Sequence, residues 1–236
     1  MTAPHLLPAH ELERTAVVAN NSMNRERGLA GVNSYARELG LDPVAHLTAA
    51  ADRSSAPPSW LDLCSGEGRA LREACSRLPA GSVLTGVDLV GPLVPAPAPA
   101  GPELLVASVA EWSPPRTYDL ITCVHGLHYV GDQLGLLARA ASWLAPDGLL
   151  IGHLDPLSLR LADGAPAGRA AVAALRAAGF RYDARRHLVS LRGPRTVRLP
   201  FRYVGADPAA GPNYTGQPAV ASHYAVAPVA GAGAPQ

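Results

Sequence analysis

From residue 59 onward, short apolar runs alternate with stretches whose apolar residues recur every three or four positions. Residues 59–66 (SWLDLCSG) read as a buried strand ending in a glycine turn, and 70–78 (ALREACSRL) as the helix that follows. Residues 82–90 (SVLTGVDLV), 104–112 (LLVASVAEW) and 118–130 (YDLITCVHGLHYV) read as the second, third and fourth strands. Residues 133–145 form a helix with Leu134, Leu137, Ala141 and Leu144 on one face, and 148–155 (GLLIGHLD) form a fifth strand. Strands alternating with helices predict an α/β chain with a doubly wound, mostly parallel sheet and right-handed crossovers. One crossover departs from this rhythm. Residues 91–102 (GPLVPAPAPAGP) carry proline too often for a helix interior, so this link is expected to be extended and exposed.

The flanks read differently. Residues 1–10 suggest a flexible arm, and 11–52 suggest two or three helices. Leu29, Val32, Ala36 and Leu39 recur at helical spacing, Gly40 is placed to stop that helix and Pro43 to open the next. The polar side of the first helix, with Asn24, Arg25, Gly28, Gly31, Asn33, Tyr35 and Arg37, is not the Glu/Lys mixture of an idle surface. Two glycines inside a helix cost about 1 kcal/mol each, which suggests close approach by a ligand; a helix that merely covers the next domain is the competing reading. Residues 54–59 form a linker. After residue 156, residues 169–180 are a helix with Gly179 as its stop. Residues 188–193, 196–205 and 219–226 read as strands, two or three of them extending the parallel sheet in antiparallel fashion. The expected organisation is an arm and helical cap over 1–55 and a main domain over 56–226. That domain divides into a ligand half (56–156) and an edge-strand half (157–226), with a disordered tail at 227–236. No internal repeat is visible.

Composition adjusts this picture modestly. With 48% hydrophobic and 17% charged residues in 236, the chain can bury a full core, and its 5% aromatics make that core mainly aliphatic. The net charge of +1 argues against whole-chain attraction to nucleic acid or anionic membrane. The sum conceals a division: residues 1–159 carry −6, and residues 160–202, with ten arginines, carry +8. All 20 basic residues are arginine, the usual mark of a GC-rich genome. Cys64, Cys75 and Cys123 form neither a CxxC nor a zinc-spaced ladder. No secretion signal opens the chain and no apolar run reaches membrane-spanning length, so a cytoplasmic protein is expected.

The most informative segment is residues 60–69, WLDLCSGEGR. Gly66 and Gly68 let the backbone approach a ligand at the N-terminus of the next helix, where N–H groups lack helical partners. Asp88 stands twenty residues after Gly68, at the end of the second strand. A carboxylate there accepts bonds from both hydroxyls of a ribose. The third position of the turn is Leu71 rather than the glycine of a dinucleotide fingerprint.

With DLCSGEGR, GVDL, YDLITCVHGLHYV and LAPDGLLIG in this order over residues 59–156, the sequence resembles the class I S-adenosylmethionine-dependent methyltransferases. The resemblance implies a seven-stranded Rossmann-like sheet and S-adenosylmethionine as cofactor, with S-adenosylhomocysteine as product. It implies cofactor contacts from Asp62, Cys64, Gly66 and Gly68 at the turn, Asp88 on the ribose and Leu89 against the adenine. Cys64 stands where the family more commonly has its first glycine and is read as packing. The acid that commonly meets the adenine amino group is replaced by Ser108, followed by Val109. Residues 20–37 are placed over the cofactor as a cap. Tyr35 is a candidate for the methionine carboxylate, and Arg25 or Arg37 for that carboxylate or an acidic substrate.

Cys123, His125 and His128 follow the fourth strand at the rim where cofactor and acceptor meet, and His153 ends the fifth. Methyl transfer needs mainly alignment and desolvation, and neutral histidine suits a base near pH 7. His125 is the first candidate base and His153 the second, whereas His128 matches the family's LHH or LHY pattern and is read as structural. No metal is expected from these three histidines. Asn24, Arg25, Asn33, Arg37, Tyr203 and Tyr214 are candidates for the acceptor. The expected acceptor is a small molecule of specialised metabolism, with oxygen or carbon favoured because no N/DPPY-like signature follows the fourth strand. Homo-oligomerisation is left open. Two other readings compete: an RNA or peptide modifier docking through residues 160–202, and a cofactor-binding enzyme of another reaction such as a cyclisation.

Overall fold

The computed structural model describes residues 5–19, 27–91 and 101–226. Strand β1 (Ser59–Leu63) is buried along its whole length at the centre of the main sheet, which explains its nearly unbroken apolar text. It pairs in parallel with β2 (Val83–Asp88) and β4 (Tyr118–Cys123). Beyond these lie β3 (Glu103–Val106) on one side and β5 (Leu144–His153) on the other. Strand β6 (Leu159–Leu161) is not part of this sheet. Strands β7 (Arg181–Asp183) and β8 (Leu188–Arg192) complete it as a hairpin, giving the order β3-β2-β1-β4-β5-β8-β7 with β8 antiparallel to β5. This is the seven-stranded Rossmann-like sheet implied by the sequence.

Alternation along β1 divides the core. Leu61 and Leu63 face the apolar side of helix α5 (Gln133–Ser142) in one cluster. Trp60 faces the other way, into a cluster with Leu39, Leu47, Leu71 and Leu120. Each such fully buried large side chain contributes about 1.5–3 kcal/mol. Leu71 belongs to helix α4 (Arg69–Cys75), and Leu47 to helix α3 (Pro43–Ser54). Helix α3 opens as expected at Pro43, where Asp42 caps two N–H groups, at 2.9 and 3.2 Å. It packs on the sheet face, so this part of residues 1–55 belongs to the main domain's helical layer rather than to a cap.

Other expectations change. The helix expected through Leu29 and Val32 is confined to α2 (Tyr35–Leu39), and helix α1 before it spans only Ala9–Leu12. Gly31 has φ of +104° and Val32 is 81% exposed, so the helical spacing there is fortuitous. The stop at Gly40 holds, with a left-handed φ of 63°. Strands β9 (Phe201–Asp207) and β10 (Ala221–Val226) do not extend the main sheet. With β6 they form a second sheet of order β6-β10-β9, whose edge Ala206 pairs with Leu7. Helix α6 (Gly168–Ala177) buries Ala171, Val172 and Leu175. Residues 92–100, most of the proline-rich link, and the expected tail lie outside the described residues. No helix among the described residues is long and apolar enough to cross a membrane.

Candidate active site

The turn after β1 is fixed from below and from the side. Cys64 adopts φ of 58°, and Gly66 and Gly68 have φ of 59° and 66°. A side chain in this left-handed region costs about 1 kcal/mol or more, which gives a physical reason for glycine at the position Cys64 occupies. Beneath the turn, the carboxylate of Asp62 accepts hydrogen bonds from Tyr35 Oη and Thr122 Oγ1, both at 2.6 Å, and Thr122 accepts one from Trp60 Nε1 at 2.8 Å. Burial pushes the Asp62 carboxyl up to about 7 against the opposing pull of these two donors. Burial and the adjacent Asp62 push the Tyr35 phenol well above its ordinary range. From the side, Asp88 accepts from the backbone N–H of Gly66 at 2.8 Å and of Val90 at 3.0 Å, so one carboxylate ties the turn to the end of β2.

Above this turn lies a cavity of about 690 Å³, roofed by the N-terminal segment. Cys64, Ser65, Gly66 and Asp88 form one side, and Leu89, Val90, Val109 and Ala110 another. Leu12, Glu13, Val18, Arg27 and Tyr35 line it as well. Ser108 stands at its edge, and its hydroxyl donates to Glu13 Oε1. A smaller cavity of about 410 Å³ adjoins it, sharing Arg27, His125 and Thr215. Arg37, Glu38, His153, Arg186 and Tyr214 complete the smaller one.

His125 stands between the two cavities, in a left-handed conformation (φ of 59°) at the start of the 3₁₀ turn Gly126–Tyr129. Its Nε2 lies 3.0 Å from Glu38 Oε2, and its Nδ1 lies 3.4 Å from Tyr214 Oη. An ionised carboxylate only accepts, so Nε2 is the ring nitrogen that donates to Glu38, and Nδ1 is the one that faces Tyr214. The His125 hydrogen bond, above all, holds the Glu38 carboxyl down at about 2. His153 stacks on His125 at 4.0 Å with its Nε2 3.6 Å from the same Glu38 oxygen. Burial, with His125 beside it, lowers the His153 imidazole to about 2.

Among the described residues, Glu38, His125 and His153 form the one such cluster whose donor atoms, all within 4.8 Å of one another, fit a metal ion. Their geometry is nevertheless unfavourable for one. The imidazoles are parallel within 8°, so their lone pairs run side by side rather than converge. Arg27 lies 4.0 Å from Glu38, and Arg37 and Arg186 line the same cavity, an unfavourable field for a cation.

The structure brings together Tyr35, Cys64, Gly66, Asp88, Leu89 and Val109 around the larger cavity, and Arg37, His125, His153 and Tyr214 around the smaller. Other candidates act from behind. Asp62 and Gly68 support the turn without lining the cavity, and the one proton of the Tyr35 hydroxyl goes to Asp62. Cys123 packs behind Cys64: a Cβ on Gly126 would meet Cys64 Cβ at 2.4 Å and Cys123 Sγ at 2.9 Å. His128 is wholly buried and lines neither cavity, and burial takes its pKa down to about 3. Tyr203 is half-buried against Tyr224, and neither Tyr203 nor Asn33 lines either cavity. Asn24 and Arg25 lie outside the described residues. Sequence reasoning missed Glu13, Arg27 and Glu38. Only Glu38 had a legible signal, three residues after Tyr35 on the same face of a short helix.

The sheet order, the glycine turn and an acid at the end of β2 define a Rossmann-like nucleoside-binding domain. A methyltransferase-domain family matches residues 35–197, well over half of the chain, and the chain belongs to that family. No curated protein matches it. Solved structures with a similar fold include the plantazolicin methyltransferase BpumL in complex with SAH, at 17% identity and a TM-score of 0.41. That match covers 61% of this chain and 55% of that one. They also include SAM-bound CalS10, an amino pentose methyltransferase from Micromonospora echinaspora (22% identity, 50% and 52% covered, TM-score 0.34). A third is an S-adenosylmethionine-dependent methyltransferase from Clostridium acetobutylicum (17%, 51% and 51%, 0.36). The matches span about half the length of these neighbours.

Proposed function

We propose that the chain is an S-adenosylmethionine-dependent methyltransferase whose small-molecule acceptor occupies the smaller cavity and presents an oxygen nucleophile. The observation that carries this reading is His125, shared by both cavities and oriented by Glu38. The larger cavity suits the cofactor: it has the volume of a small-molecule site, apolar walls for a base, and Asp88 near the turn for ribose hydroxyls. Gly66 brings backbone close to the methionine part, and Arg27 supplies a cation for its carboxylate, with a buried Nε that makes no hydrogen bond and lies 4.0 Å from Glu38. S-Adenosylmethionine, when bound, supplies an electrophilic methyl group. His125 Nδ1 takes the acceptor's proton and Glu38 holds the opposite edge of the ring, stabilising the imidazolium that results. Arg27, Arg37 and Arg186 around the smaller cavity favour an acceptor that carries an acidic group. The plantazolicin and amino pentose methyltransferases act in natural-product chemistry, which agrees with a specialised small-molecule acceptor.

The test combines calorimetric S-adenosylhomocysteine binding with mass-spectrometric detection of methyl transfer across a panel of hydroxylated acids and their neutral amides. Wild-type chain is expected to bind the product form and methylate an acid. His125→Ala should cut turnover by about 10²-fold or more at nearly unchanged product affinity. Loss of affinity and turnover together would remove His125 as the base.

A further inference from the structure

Two acids line the larger cavity, and they do different work. Asp88 is tied to the glycine turn through Gly66 and to its own following segment through Val90. Glu13 reaches the cavity from the N-terminal segment, just after α1, and meets Ser108 where the chain leaves β3. The Ser108 hydroxyl accepts from the Ala110 N–H at 3.1 Å and donates to Glu13, which spends its one proton and orients the carboxylate. One hydroxyl occupies only one of the roughly four acceptor sites of that carboxylate. Leu89, Val90, Val109 and Ala110 give this end of the cavity apolar walls suited to a flat heterocycle. The exocyclic amino group of an adenine is a pure donor, and Ser108 has no proton-accepting charge to offer it.

We infer that Glu13 is the specificity-determining acceptor for the adenine amino group, with Ser108 as its positioning residue. Base recognition is thereby assigned to a segment far from the nucleotide-binding strands. The pairing of Leu7 with Ala206 and the seating of Leu12 beside Ala206 and Val220 anchor that segment. The assignment rests on the cofactor reading above.

The test compares calorimetric affinities for S-adenosylhomocysteine and S-inosylhomocysteine, in which a carbonyl oxygen replaces the amino group. Wild type is expected to prefer the adenosyl compound by about 10-fold or more, since the inosyl carbonyl faces a carboxylate. Glu13→Gln, whose amide donates as well as accepts, should bring that ratio to about 3-fold or less. Glu13→Ala should weaken the adenosyl compound by about 10-fold or more and the inosyl compound little. A ratio that Glu13→Gln leaves unchanged overturns the assignment, as does a parallel loss for both ligands, which would make Glu13 a merely structural residue. Wild type that binds neither compound refutes the cofactor reading and this assignment with it. Wild type that binds both equally refutes the assignment alone.

Discussion

Asp62→Asn keeps the shape of the buried side chain and removes its charge. Burial holds the native carboxyl at about 7, against about 3.9 in an unfolded chain. A raised folded-state value means that the native chain keeps a proton which the unfolded chain has released. The stability contributed by this group is therefore complete below about pH 4 and is lost as pH rises through about 7. Three units correspond to about 4 kcal/mol, or about 8–16 °C of unfolding temperature in a domain of this size. Asn offers one acceptor oxygen where the carboxylate offers two, so either Tyr35 or Thr122 loses an acceptor, at a cost of about 1 kcal/mol. Buried histidines act in the opposite direction below about pH 6.5, but both proteins share them and they cancel in the difference. Urea unfolding of both proteins between about pH 4.5 and 8 provides the measurement. Wild type should be the more stable at the acid end, and the difference should move towards the variant by several kcal/mol at the basic end. Parallel stability curves would refute the claim that Asp62 is buried at a cost.

The remaining expectations can be checked with the same protein. His128 is buried with neither ring nitrogen partnered and its pKa lowered to about 3, so its contribution is lost as pH falls below about 6.5. His128→Phe should flatten the acid limb by about 2 kcal/mol between about pH 6.5 and 5 in urea midpoints. Glu38→Gln should lower kcat by about 10-fold or more with unchanged S-adenosylhomocysteine affinity; a loss confined to affinity would place Glu38 in cofactor binding instead. Gly126→Ala pushes a methyl group into Cys64 and should weaken product binding by about 5- to 150-fold through overpacking. Adding Cys64→Gly should restore much of that affinity, measured by calorimetry.

The parallel strands of the sheet were legible because they are apolar and punctuated by glycine turns, whereas the three residues of β7 left no such text; Asp88 was legible because its distance from Gly68 is set by one helix and one strand. Gly40 and Pro43 were equally readable, since each constrains its own backbone. Residues 28–34 were misread as helix because chance spacing of Leu29 and Val32 outweighed Gly28 and Gly31. The second sheet was hidden: β6 has three residues, and strand text does not say which sheet a strand joins. Glu13 and Glu38 left little trace because their roles depend on tertiary placement. Glu13 meets Ser108 from ninety-five positions away, and Glu38 meets His125 from eighty-seven.

Leu7 pairs with Ala206, and the walls of the larger cavity run from Ala9 to Pro218. On the ribosome, strands β1 to β5 emerge and can assemble while Ala206 and Val220, against which Leu7 and Leu12 are seated, are still unsynthesised. The apolar faces of Leu12 and Val18 wait uncovered during that interval. A ligand that touches both the N-terminal segment and residues 213–218 therefore stabilises, by mass action, the state in which the two are joined.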